Sequence, residues 1–153
     1  MLNLSELIRG GTLCLSKAGL HKGTTSTIDI AAPNGAGVDF CIAGKLYHKA
    51  DTDTIAVSAC TIQPALYSCL YLVLLDTGGN LTVVKGDQVL TADIGIVSLT
   101  WPVVTALTCP IGAFRIDNAS GYTFTAGTTA IGTTGVTATF YDLLAVPDAP
   151  LVA

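Results

Sequence analysis

After residue 27 the chain is built from short apolar runs separated by Gly, Pro, Asn and Asp. In TSTIDIAA, residues 25–32, Ile28 and Ile30 recur with period two, which predicts a strand with one buried face. In VDFCIAGKLYHKAD, residues 38–51, the positions Val38, Phe40 and Ile42 lead into Ala43-Gly44, and Leu46-Tyr47-His48 lead out. That pattern predicts a hairpin. Ile55 and Val57 mark a short strand, and TIQPALYS, with Pro64, a loop or single helical turn.

CLYLVLLDTGGNLTVVKGD, residues 69–87, breaks the alternation. Cys69 to Leu75 has no polar position, so both faces of that strand require burial. DTGGN supplies a tight turn into a return strand, Leu81–Lys85. Further strands are predicted at Val97–Trp101, Ile111–Asp117, Tyr122–Thr125 and Val136–Leu144, with PDAPLVA as a surface tail. No amphipathic helix longer than two turns follows residue 27. The class expected is all-β, a single β-sandwich or jelly-roll-like domain over residues 27–153. Residues 1–26 mix Gly, Ser, Thr and basic residues with scattered Leu. They are expected to form an extended N-terminal arm, with one helical turn over LSELI after a Ser5 cap.

A covering layer for the second face of residues 69–75 is not evident in this pattern. A neighbouring copy is therefore the expected cover, with Tyr71, Val73 and Leu75 at the subunit interface. Charge sharpens the point. Charged residues make up 12 % of the chain, against about 25 % in ordinary domains. Residues 54–75, 94–114 and 118–141 contain no Asp, Glu, Lys or Arg. Yet Thr and Pro interrupt the middle stretch, Thr and Gly fill the last, and Leu66 to Leu75 is too short, so no segment predicts a membrane-spanning helix. MLNLSELIRGG has no basic segment followed by an apolar run, so no secretion leader is expected.

Net charge is −4. Arg9, Lys17 and Lys22 face a single acid, Glu6, in residues 1–25, whereas the remainder is acidic. A basic head with Leu13, Leu15 and Leu20 fits an acidic groove on a protein partner. No basic patch of the kind that binds nucleic acid is present.

Chemistry is sparse. There is no GxSxG element, and the two histidines, His21 and His48, read as surface imidazoles. The DTDT of residues 51–54 lacks the Gly and late Glu of a calcium loop. NGAG at 34–37 lacks the Lys-Ser/Thr of a phosphate loop. The five cysteines form no CxxC pair and are odd in number, so they read as small buried hydrophobes rather than a disulfide or zinc framework. No catalytic residue, metal or cofactor is expected.

KLYHKADTDTIAVSA, CLYLVLLDTGGNLTVVKG, WPVV with CPIGAFRI, YTFTAGTTAIGTTGVTATFYDLL and the closing VPDAPL resemble small virion structural proteins of tailed bacteriophages. The resemblance runs from about residue 20 onward and carries no catalytic signature. It implies a head decoration (cement) protein, or a short head or tail fibre. In the decoration case it implies a β-rich homotrimer, made in the host bacterial cytoplasm and bound to the capsid exterior. The partner would be the major capsid protein, docked through Arg9, Leu13, Leu15, Lys17, Leu20 and Lys22 of the arm. The alternative is a tail fibre, head fibre or baseplate component that touches the host surface.

Overall fold

The computed structural model describes residues 11–147 and 149–151. Among them the chain is all-β, with ten strands in three antiparallel sheets and one short 3-10 turn at Thr91–Asp93. The strands are β1 (Leu13–Cys14), β2 (Leu20–Lys22), β3 (Thr27–Ile30), β4 (Val38–Ile42), β5 (Lys45–Lys49), β6 (Thr52–Ala56), β7 (Tyr67–Asp76), β8 (Leu81–Leu90), β9 (Thr108–Asn118) and β10 (Val136–Asp142). A large sheet has the order β10-β9-β7-β8, and two small sheets have the orders β1-β4-β5 and β2-β3-β6.

The turns follow from local chemistry. Ala43 and Gly44 both take positive φ, 50° and 80°, which closes the two-residue β4–β5 hairpin with the twist its strands need. Between β7 and β8 the Asp76 carboxylate accepts from the Gly78 and Asn80 amides at 2.8 and 2.9 Å and from Asn80 Nδ2 at 2.9 Å. These bonds, with the Asn80 side chain first, hold the Asp76 carboxyl below its ordinary value of 3.8.

One core lies between the large sheet and the two small ones. The large sheet contributes Cys69, Tyr71, Val73, Leu75, Val83, Ile111, Phe114 and Ile116; β4 contributes Val38, Phe40 and Ile42; β2 and β3 contribute Leu20, Ile28 and Ile30. Tyr71 stacks on Phe114 at 5.0 Å between ring centroids and meets Phe124 edge-on at 5.5 Å. Gly112 is required where Leu20 presses on β9, since a Cβ there would lie 2.3 Å from Leu20 Cδ1 and 2.6 Å from the Tyr141 carbonyl oxygen. Pro110, which lacks an N–H, sits where the β7–β9 register shifts and where β10 no longer pairs.

The opposite face of β7 is covered by the same chain. Leu72 and Leu74, with Ala113, form a second cluster with Leu143, and Val84, Trp101, Val104 and Val146 pack against it. The connection from β8 to β9 crosses this face, and the segment after β10 returns over it. The two are tied together by a Leu99–Leu151 bridge and by the Trp101 Nε1–H, which donates to the Ala149 carbonyl at 2.9 Å.

Three expectations change accordingly. Tyr71, Val73 and Leu75 are fully buried inside one chain, so they are not a subunit interface. Val97–Trp101 is a covering strap rather than a strand, and Tyr122–Thr125 contributes only the Phe124–Gln63 bridge. The expected arm is not separate over its described part: β1 pairs with β4 and β2 with β3, and Cys14 and Ala18 are buried. The expected helical turn over LSELI lies outside the described residues.

Removing residues 143–153 uncovers Leu72, Leu74 and Ala113. The expected result is a loss of roughly 3 kcal/mol in a denaturant titration and new binding of a hydrophobic dye. A truncated protein as stable as the full chain would contradict the covering role. Asp76→Ala should cost about 0.5–1 kcal/mol, since the clasp is open to solvent. Because the folded pKa of Asp76 is depressed, its contribution is full above the ordinary value and fades as pH falls through the lower folded one. The variant should therefore lose that part of the acid-side decline in stability, read by unfolding curves across the acid range.

Candidate docking face

The small sheet β1-β4-β5 turns Val38, Phe40 and Ile42 inward, so the alternate positions point outward. Register places Leu13, Cys41 and Leu46 in one cross-strand row. The next row holds Leu15, whose amide donates to the Asp39 carbonyl at 2.8 Å, then Asp39 and His48. Leu46 is 70 % exposed and Leu15 48 %. Cys41, between them in the sheet, is buried without belonging to the main core.

This face is held firmly for one built partly from a two-residue strand. Ser16 Oγ accepts from the Asp39 amide at 2.9 Å and Thr12 Oγ1 from the Ala43 amide at 3.1 Å. The Gly44 amide donates to the Gly11 carbonyl at 3.0 Å, and the Cys14 amide to the Leu144 carbonyl at 2.8 Å. His48 Nδ1 and Asp39 Oδ1 lie 2.7 Å apart at the polar end of the face, both half exposed. On the reverse side Tyr47 stacks on Phe40 at 5.6 Å, with Lys45 Nζ 5.4 Å from the Tyr47 ring.

The nominated docking residues do not form one surface. Leu13 and Leu15 lie on this face. Leu20 is in the core, 6 % exposed, with its amide donating to Asp142 Oδ1 at 3.1 Å, so it is unavailable to a partner. Lys17 is exposed beyond Ser16, and Lys22 is exposed at the end of β2. Arg9 lies outside the described residues. Leu46 was not nominated. Its signal was the Ala43-Gly44 turn, which fixes the register and sets Leu46 opposite Cys41.

A second apolar surface lies on the covering strap, where Ile96 and Val103 are 88 % and 84 % exposed. Where the strap meets the C-terminal segment, Trp101, Pro102, Val103, Val146 and Pro147 line an open groove of about 410 Å³.

Burial pushes the Cys69 and Cys109 thiols up to about 12 and raises Cys14 and Cys60. The Tyr71 hydroxyl, also raised by burial, donates to Gln63 Oε1 at 3.0 Å. Gln63 Nε2 in turn donates to the Tyr67 and Ile116 carbonyls at 2.7 and 3.0 Å. This network closes on backbone groups and satisfies a buried amide. Among the described residues no group of three or more His, Cys or acidic side chains could hold a metal, and no helix is long and apolar enough to cross a membrane.

No family model matches the chain, and neither a curated protein nor a solved structure matches it.

All five cysteines are free, and Cys60 alone is not buried. In the native protein at mildly alkaline pH a disulfide reagent should label Cys60 first and the other four only on unfolding. Cys60→Ser should abolish the native-state labelling. Rapid labelling of Cys69 or Cys109 without unfolding would contradict the burial.

Proposed function

We propose that this protein is a structural component of a bacteriophage virion, bound to the capsid exterior as a decoration protein. The reading takes the two small sheets together as one layer facing the large sheet, a sandwich that presents a rigid apolar face. The observation that carries it is that face: Leu13, Leu15 and Leu46 stand outward on hydrogen-bonded strands. Burying exposed aliphatic side chains stabilises a contact without any catalytic group, and many copies on a lattice add their contacts through multivalency. The phrases that resemble phage virion proteins support the same assignment. The self-association expected of such a protein, a homotrimer, no longer draws support from the doubly apolar strand, because the chain covers that strand itself.

The second reading is a tail fibre, head fibre or baseplate part. Ile96 and Val103 on the strap favour it, being more exposed than Leu15 and Leu46 on the β1-β4-β5 face.

The two readings separate in a particle. Capsids assembled without this protein should bind the purified chain over the whole lattice, seen by electron microscopy. Leu15→Glu/Leu46→Glu should weaken that binding at least tenfold, with unchanged thermal unfolding because both side chains are exposed. Density confined to the tail, or full binding by the double variant, would defeat the docking assignment.

A further inference from the structure

The large sheet has two edges, and they are treated differently. At one, β8 carries Lys85 and Asp87 and a register shift around Gly86. Lys85 Nζ donates to the Thr61 and Ile62 carbonyls at 2.9 Å each, and the Val83 amide donates to Ser58 Oγ at 2.9 Å. Charge, bulge and a covering segment all protect that edge from pairing with another chain.

The other edge is β10. Its sequence VTATFYD has no charge before Asp142, no Pro and no register shift against β9. The direction of its backbone groups follows from the flanking bonds. The Leu143 amide donates to the Ile111 carbonyl, and the Ala119 amide to the Gly135 carbonyl. Odd-numbered residues therefore bond β9, and even-numbered ones face outward, as antiparallel pairing alternates. The Val136 amide is used by the Thr133 carbonyl, the Asp142 side chain by the Leu20 amide, and the Leu144 carbonyl by the Cys14 amide. Between them, Ala138 and Phe140 have no outward backbone partner among the described residues.

A groove of about 440 Å³ lies on this stretch, lined by Ala138 and Phe140 together with His21, Lys22, Gly132 and Thr133. Lys22 lies along Gly132, where a Cβ would stand 3.4 Å from its Cδ and 3.8 Å from its Nζ. His21 Nε2 is 3.5 Å from Asp29 Oδ2, whereas Lys22 makes no ion pair among the described residues. The groove thus combines unpaired strand backbone with an unpaired cation.

We propose that the open edge of β10 is a strand-addition site, taking an extended segment of a partner protein that sets a carboxylate against Lys22. The main chain of that segment pairs with Ala138 and Phe140, and the charge fixes its register. This inference is independent of where the protein resides in a particle, and of the β1-β4-β5 face.

The test uses the full chain and two synthetic peptides, acetyl-Thr-Val-Glu-Val-Thr-amide and its companion with Gln in place of Glu, followed by amide NMR. The Glu peptide should shift the Ala138 and Phe140 amides and slow their exchange, and the Gln peptide should bind about fivefold more weakly. Lys22→Glu should erase that preference. Ala138→Pro should abolish binding with the native spectrum retained elsewhere, because the lost N–H points away from β9. Equal binding of the two peptides, no binding of either, or shifts remote from β10 would overturn the proposal. So would protection of Ala138 and Phe140 that grows with protein concentration alone, which would make a second copy the occupant.

Discussion

The double-sided burial of β7 is the constraint from which the rest of the architecture follows. A strand with Leu72 and Leu74 on one face and Tyr71, Val73 and Leu75 on the other cannot stand at a surface. It is central in its sheet, flanked by β8 and β9, so its backbone groups are paired. One of its faces makes the main core with the small sheets. The other is closed by two segments with little regular structure, the β8–β9 connection and the chain after β10. Those segments can leave regular pairing because Leu143, Val146, Trp101 and Val104 give them an apolar underside.

The same solution explains how a chain with so few charges dispenses with a partner over its most apolar strand. The charge-free stretch 94–114 holds both the strap and most of β9, the strand it helps to cover. Buried polar groups are confined to a few sites and are largely bonded to backbone. Gln63 bridges the Tyr71 hydroxyl and two carbonyls, and Asn118 Nδ2 donates to the Gln63 and Pro64 carbonyls at 3.0 and 2.9 Å. That network pins the segment before β7 to the end of β9.

What remains at the surface is then informative. With β7 sequestered, the exposed apolar groups include Leu15 and Leu46 on a small sheet and Ile96 and Val103 on the strap, and the β10 edge is open beside them. Each is set on a part of the fold anchored by backbone hydrogen bonds, so each would meet a partner with little ordering cost.

The strand-turn alternation by itself determined the all-β class, the Ala43-Gly44 and DTGGN hairpins, and the demand that residues 69–75 be buried twice. Those features are local: turn residues fix φ, and period two fixes faces. The sequence also marked Leu13 and Leu15 as apolar residues in need of a role. It did not reveal what covers Leu72 and Leu74, that Leu20 belongs to the core, or that β10 is left open at one edge. Those depend on which segments meet across long separations, as when Leu99 finds Leu151 and Leu20 settles over Gly112. Periodicity states that a face must be hidden; only the closed chain decides what hides it.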